Sequence, residues 1–187
     1  MAAVPLLKKH LVTVDEYQRM AATGVFAADE RLELLYGEIV EMTPIGDRHA
    51  LCVMMICDFL VGLRPRVILN PQNPIRLPGQ QAVPQPDVVL LRRRSDYRSR
   101  LPGPEDVLLL VEVAESSLSY DRDVKIPLYA KAGIPESWLA DLNSDVILTF
   151  RKPSPEGYRE VREYRRGDWI SPEAFPDEQF LVDDLLG

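Results

Sequence analysis

The chain has 187 residues, of which 46% are hydrophobic and 27% are charged, the composition of one globular domain with a sizeable core. Its 22 basic residues and 29 acidic ones give a net charge of −7. This charge excludes a surface that is basic all over and binds nucleic acid or anionic membrane by general attraction. Cys52 and Cys57 lie five residues apart in an apolar stretch, which fits neither a disulfide framework nor a zinc knuckle. We interpret both as packing residues of a protein from a reducing compartment.

The chain carries no membrane signal that we can identify. No apolar run approaches the roughly 20 residues that cross a bilayer. The apolar residues of 1–7 precede Lys8 and Lys9, the reverse of the order in a secretory signal. We therefore expect a cytoplasmic protein without membrane contact.

The first third of the chain predicts a helix, a hairpin and a second helix. Thr13 and Glu16 form a capping box, so we expect a short helix over 17–22 that ends near Gly24. Two alternating runs, 31–36 and 38–42, flank Gly37 and predict a hairpin. A core helix is expected over 47–63, with His49 in its first turn, because apolar residues recur there at helical spacing. Those residues are Leu51, Met54, Met55, Phe59 and Leu63.

The rest of the chain predicts a sheet and one further helix. Strands are expected at 67–69, 74–77, 87–91, 107–113, 137–141, 145–150 and 158–164, the last two as a hairpin. The run 107–113 is apolar except for Glu112, which is typical of a central strand buried on both faces. Residues 121–132 predict a helix that Pro127 disturbs and Gly133 ends. The acidic segment 173–187 is interpreted as a flap or dimer contact that docks its apolar side chains on the body.

Glu112 is the first candidate for chemistry, because a buried carboxylate is costly unless a partner or a cation compensates it. Asp87 follows Pro86 at the start of another apolar strand, and Lys125 lies in the predicted helix. Two carboxylates at adjacent strand ends form a hard oxygen site of the kind that binds Mg²⁺. A nearby lysine could hold the attacking water and offset phosphate charge.

These residues give the chain a resemblance to a known family, the Uma-type restriction endonucleases of the PD-(D/E)XK nuclease superfamily. The matching segments are 33–40, His49, 85–89, 111–113, 121–125, Tyr129 and 132–141. The resemblance implies an α/β restriction-endonuclease-like fold, with a central mixed β-sheet flanked by helices and, here, an N-terminal helix and hairpin extension. It implies a single domain over 1–187 with a nuclease core at about 45–165. The implied activity is hydrolysis of DNA phosphodiester bonds with Mg²⁺ or Mn²⁺.

The resemblance also assigns roles to individual residues. Asp87 matches the signature aspartate and Glu112 the acidic residue of the second half, so these two are the expected metal ligands. The usual Glu-x-Lys spacing would place the lysine at position 114, which is Ala114 in this chain. Lys125 matches instead the lysine that the family carries on the helix after this strand. Glu33 matches the family's glutamate before the glycine and is expected to supply a third acidic group.

Other residues near the signature carry weaker expectations. His49 is either a helix-start histidine with a local hydrogen bond or a catalytic base, and Gln85 either aims at a metal-bound water or ends a turn. The arginine-rich run after the Asp87 strand is either a solvated loop or a contact for the phosphate backbone of DNA. Its members are Arg92, Arg93, Arg94, Arg98 and Arg100. Asp121 and Asp123 are expected to cap the Lys125 helix or to pair with these arginines.

The sequence thus predicts a Mg²⁺-dependent endodeoxyribonuclease, which we expect to be a homodimer because cutting both strands of a symmetric duplex favours a twofold pair. One alternative is a catalytically inactive nuclease-fold module that binds nucleic acid or protein, with the acids serving structure. Another is hydrolysis of a small nucleotide. Phosphate-loop, dinucleotide-binding, His-Glu-x-x-His and Gly-x-Ser-x-Gly motifs are all missing from the sequence.

Overall fold

The computed structural model describes residues 9–27 and 29–187 and begins with a helix and a hairpin. Helix α1 (Val14–Ala22) begins after Thr13, whose hydroxyl accepts the backbone N–H of Glu16 while the Glu16 carboxylate accepts that of Thr13. Strands β1 (Leu32–Leu35) and β2 (Glu38–Glu41) form the antiparallel hairpin. Both elements confirm the sequence prediction.

No residue with a side chain can replace Gly37 in the hairpin turn without strain. Its φ of +80° lies in the left-handed region, and an added Cβ would come within 2.7 Å of the Leu11 Cβ. The turn is therefore held against the segment that precedes α1, where the Val12 N–H also donates to the Gly37 carbonyl.

A six-stranded mixed sheet forms the centre of the molecule. Its strands are β3 (Val67–Pro71), β4 (Val88–Arg92), β5 (Val107–Ala114), β6 (Glu136–Asp141), β7 (Val146–Ser154) and β8 (Gly157–Arg165), in the spatial order β3-β4-β5-β6-β7-β8. Strands β5 and β6 run parallel, and the other neighbours are antiparallel. Glu112 therefore lies in an interior strand, as predicted.

Each face of the sheet carries its own hydrophobic core, because successive strand residues point to opposite faces. In β4, Val88 and Leu90 pack into one core while Val89 and Leu91 pack into the other. The first core is covered by α2 (Asp47–Leu60) and the second by the helix around Tyr129. The chain thus forms helix, sheet and helix layers, with the β1-β2 hairpin against the second face.

Helix α2 is present as predicted, but the predicted core face is only partly correct. The buried residues of the helix are Cys52, Val53, Ile56 and Leu60. Leu51 and Met54, which the apolar spacing placed in the core, are 46% and 57% exposed. The helix is apolar on more than one side, so its periodicity alone does not identify the buried face.

The segment after β5 is helical but irregular. Helix α3 (Leu118–Tyr120) is followed by a π-helical turn at Asp121–Lys125 and then by α4 (Ile126–Ala132), which ends at Gly133 in a left-handed conformation. The irregularity predicted from Pro127 is thus a π turn directly before it. Turns of this kind are rare in proteins, and those that do occur are often found at functional sites.

The predicted strand at 74–77 is wrong. Ile75 and Leu77 are fully buried in the second core, but this segment makes only an isolated bridge between Leu77 and Ala82. The backbone N–H groups of Ile75 and Arg76 bond to loop carbonyls instead. Alternating burial therefore arises here from an irregular loop packed under the sheet.

The C-terminal segment docks on the body, as its apolar residues predict. Strands β9 (Trp169–Ile170) and β10 (Phe180–Leu181) pair with each other, and α5 (Val182–Leu186) packs against α2. Within the described residues, no helix has the length and hydropathy to cross a membrane. The segment 1–7, on which the expectation about a secretory signal depends, lies outside the described residues.

We predict that paired substitutions in α2 will identify its buried face. Ile56→Ala removes a side chain that is 1% exposed, so unfolding free energy should fall by about 2–5 kcal/mol. Met54→Ala, two residues away, should change it by no more than about 0.5 kcal/mol. Urea denaturation of the two variants measures the difference, and equal losses would show that the helix is packed on another face.

Candidate active site

The candidate site lies where β4 begins and β5 ends. Val88 pairs with Val111 in the antiparallel ladder, so Asp87, one residue before β4, comes beside Glu112 and Val113. Asp87 shares its strand face with Val89, and Glu112 shares its face with Leu110, and both neighbours pack into the second core. The pairing register therefore brings the two predicted acids to one face of one sheet end.

The Asp87 carboxylate is held by two donors that meet at one oxygen. Its Oδ2 accepts the Val113 backbone N–H at 2.8 Å and lies 3.1 Å from His49 Nε2. The hydrogen bond to Asp87 raises the pKa of His49 above its ordinary value, although partial burial opposes this. His49 thus bonds across to β4 and not locally within its helix, and its Nδ1 is buried without a partner among the described residues.

Lys125 lies between two buried carboxylates. Its Nζ is 2.8 Å from Glu112 Oε1 and 3.2 Å from Glu33 Oε1, and all three side chains are at most 5% exposed. The Tyr129 hydroxyl donates to the same Glu112 oxygen at 2.5 Å. Strand β1, strand β5, the π turn and α4 therefore contribute to a single buried cluster.

Carboxylates outnumber cations in this cluster. Asp121 is a further buried acid, and its Oδ2 accepts the Ser117 hydroxyl at 2.5 Å. Burial raises the pKa of Glu112 well above its usual range, and Lys125 only partly opposes this. Burial alone would lower the pKa of Lys125, but Glu112, Glu33 and Asp121 hold it above its ordinary value. The ammonium stays charged, and the cluster holds more acidic side chains than one lysine can pair with.

A pocket opens onto most of the predicted site residues. Its lining includes Glu33, His49, Gln85, Asp87, Glu112 and Lys125. The amide nitrogen of Gln85 donates to the Gln72 carbonyl at 2.5 Å and so ties the connection between β3 and β4. The predicted acids and lysine thus share one solvent-connected space.

The arginine-rich run lies elsewhere. Arg92 ends β4 while Asp87 precedes it, so the two are separated by the strand's length, about 16 Å at 3.3 Å per residue. Arg100 contacts Asp96 and Asp106, and Arg94 pairs with the same two acids. The pocket lining contains none of the five arginines. The structure therefore does not place these arginines beside the pocket, because the two ends of a strand lie far apart, and their contact with the phosphate backbone of DNA stays a prediction.

Three contributors were not singled out for the site from the sequence: Asp121, Tyr129 and Arg31. Asp121, Lys125 and Tyr129 recur every fourth residue, a spacing that places side chains on one helix face and could have revealed the first two. Asp123, by contrast, pairs with the neighbouring Arg122 at the surface. Arg31 lines the pocket and bonds to the Thr43 carbonyl across the hairpin, and no sequence signal indicated it.

The donor set fits a hard divalent cation. The described hydrogen bonds and ion pairs of Asp87 end on Oδ2 and those of Glu112 on Oε1, which leaves one oxygen of each carboxylate for a cation. Residues 9–27 and 29–187 contain no group of three or more His, Cys, Asp or Glu side chains arranged to hold a metal. Two carboxylates nevertheless suffice for Mg²⁺, which usually keeps several waters and binds substrate phosphate.

Comparisons with known proteins bear on the family and the fold of the chain. The Uma2 family model, described as "Putative restriction endonuclease", matches residues 14–183. A solved structure described as a putative nuclease belonging to DUF820, from Anabaena variabilis, is similar with a TM-score of 0.65 and 16% sequence identity. The match covers 94% of this chain and 97% of that one. No curated protein matches. The predicted fold, a central mixed sheet flanked by helices, is confirmed by the structure and by its similarity to this solved structure.

We predict that Lys125→Met destabilises the protein in a pH-dependent way. Removing one partner from a buried ion cluster costs about 3–5 kcal/mol. The pKa values of Glu112 and Asp121 are already raised in the folded protein, and loss of the ammonium raises them further. Folded acids with raised pKa values bind protons more tightly than unfolded ones, so the variant's stability should fall as pH rises above their ordinary range.

Urea denaturation at pH 5 and pH 8 measures this dependence. The matched control is Lys131→Met, which removes an exposed lysine of α4 and should change stability by about 0.5 kcal/mol or less at either pH. An equal loss in Lys125→Met at both pH values would contradict the electrostatic account.

Proposed function

The chain belongs to the Uma2 family, described as putative restriction endonucleases, and we propose that it hydrolyses DNA phosphodiester bonds with a divalent metal ion at Asp87 and Glu112. The observation that carries the proposal is the meeting of these two acids with Lys125 in one pocket, although 25 and 13 residues separate them along the chain. A structural ion pair would need one acid for one lysine, whereas this pocket holds a surplus of acids.

Asp87 and Glu112 are the proposed ligands of Mg²⁺ or Mn²⁺. When bound, such an ion polarises a phosphoryl oxygen, lowers the pKa of a bound water and stabilises the leaving oxygen. The protein orients the two acids beforehand: the Val113 N–H and His49 hold Asp87, and Tyr129 holds Glu112. This orientation limits the reorganisation needed when substrate arrives.

Lys125 is the proposed partner of the attacking water. Its ammonium is buried and kept charged by the surrounding carboxylates, so it can donate hydrogen bonds but is a poor proton acceptor. We therefore assign it to orienting the water and to offsetting charge that develops on the phosphate. Glu33 adds a third acidic group, with its Oε1 3.2 Å from the ammonium.

Local positive charge has to compensate for the chain's net −7 when a polyanion binds. Arg31 and His49, whose pKa is raised beside Asp87, are the basic side chains that line the pocket together with Lys125. The arginine run lies a strand's length from the pocket, and its contact with the phosphate backbone of DNA stays part of the proposal. A homodimer remains part of the proposal for cutting both strands of a symmetric duplex.

We predict that Asp87→Asn lowers the rate of plasmid nicking at least about 100-fold, or about 2.7 kcal/mol in barrier, because it removes a ligand charge. The assay incubates supercoiled plasmid with Mg²⁺ or Mn²⁺ and follows the open-circular and linear products. Asp58→Asn makes the same chemical change at an exposed position of α2 and should keep wild-type activity.

Chelation by EDTA should stop the wild-type reaction. Equal nicking by wild type and Asp87→Asn would show that another site or a contaminant is responsible. A wild-type protein that binds no divalent ion and cuts neither plasmid nor short oligonucleotides would support the alternative of an inactive nuclease-fold module.

A further inference from the structure

We propose that Glu33 is a positioning residue, which holds the Lys125 ammonium when Glu112 binds a divalent cation. The inference deepens the proposed function and rests on it, because a cation at Asp87 and Glu112 is its premise. In the described structure the ammonium contacts both glutamates, at 2.8 Å from Glu112 Oε1 and 3.2 Å from Glu33 Oε1. The closer contact is with the acid that the cation is expected to use.

Glu33 has acceptor capacity that the structure leaves unused. Its Oε2 is buried and has no hydrogen-bond partner among the described residues, while its Oε1 faces Lys125. An ammonium has three donors, so a small rotation of the lysine end could place donors on both oxygens of Glu33. A buried carboxylate oxygen without a partner is unfavourable, and such a contact would remove that cost.

Lys125 and a divalent cation compete for Glu112. Both are positive, and the Lys125, Glu33 and Glu112 side chains are at most 5% exposed, so the repulsion between ammonium and cation at one carboxylate is less screened than at the protein surface. Asp121 also acts on the ammonium, but the described ion pairs of Lys125 are with Glu112 and Glu33 only, so without Glu33 the lysine would have to stay on Glu112 or lose its paired counter-charge. Glu33 provides a second acid, on the β1 strand rather than on β5.

Tyr129 keeps the Glu112 carboxylate oriented when the Lys125 ammonium moves from Glu112 to Glu33. Its hydroxyl donates to Glu112 Oε1 at 2.5 Å, so the carboxylate keeps a donor after the ammonium withdraws. The π turn carries Lys125 and the following helix carries Tyr129. The ammonium can therefore move while the tyrosine continues to hold the ligand.

Calorimetric titration with Mn²⁺ tests the proposal in a double-mutant cycle. The four proteins are wild type, Glu33→Gln, Lys125→Met and the double variant. We expect Glu33→Gln to weaken Mn²⁺ binding about tenfold, within the range usual for coupled sites, because the ammonium is then confined to Glu112. Lys125→Met should bind Mn²⁺ more tightly than wild type, because the competing charge is gone.

The decisive comparison is the effect of Glu33→Gln in the Lys125→Met background. Without the ammonium, removal of the Glu33 charge should weaken Mn²⁺ binding less than threefold. An equal weakening in both backgrounds would overturn the proposal, since Glu33 would then act on the cation directly. If Mn²⁺ binds with this coupling but the protein does not nick plasmid, only the proposed hydrolysis is contradicted. If wild type binds no Mn²⁺, both the proposed hydrolysis and the positioning role of Glu33 are contradicted.

A second measurement serves if the Lys125 variants do not fold. In crystals of wild type soaked with Mn²⁺, Lys125 Nζ should lie within hydrogen-bond distance of both Glu33 oxygens and beyond 3.5 Å from Glu112. An ammonium that remains on Glu112 in the presence of the bound ion would overturn the proposal.

Discussion

The arrangement of the site depends on one electrostatic constraint: several buried carboxyl groups surround a single buried ammonium. Glu33, Glu112 and Asp121 all raise the pKa of Lys125, and Asp87 acts on Glu112 from the neighbouring strand. Burial makes each of these charges costly unless it is compensated. The cluster holds more acidic side chains than its one ammonium can pair with, so protonation of an acid or a bound divalent ion would compensate the rest.

The fold places these groups by ordinary sheet and helix geometry. The β4-β5 register sets Asp87 beside Val113, so a backbone N–H holds the aspartate together with His49. The π turn and α4 pack on the same face and bring Lys125 and Tyr129 over Glu112. The hairpin adds Glu33 from outside the predicted core of 45–165, so the N-terminal extension contributes directly to the cluster.

Part of this arrangement could be predicted from the sequence. Glu112 stood out because it is the one charged residue in a strand that is otherwise apolar, and Gly133 indicated where α4 ends. Family resemblance, rather than spacing, connected Lys125 with the two acids. The predicted fold and family are confirmed, whereas the metal-binding and catalytic roles stay predictions.

Other features depend on three-dimensional packing that local patterns do not contain. Helix α2 has apolar residues on more than one side, so Leu51 and Ile56 are alike in sequence and differ only after docking. Residues 74–77 are buried in alternation like a strand, yet their N–H groups bond to loop carbonyls. Likewise, the arginines follow Asp87 closely in sequence, but an extended strand separates them from it in space.

The most direct test of the central claim is a calorimetric titration of Mg²⁺ into wild type, Asp87→Asn and the exposed control Asp58→Asn. The account predicts one binding event of about one ion per chain in wild type and in the control, and at least tenfold weaker binding in Asp87→Asn. Equal binding by all three proteins, or none by wild type, would contradict the claim that the surplus carboxylates form a cation site.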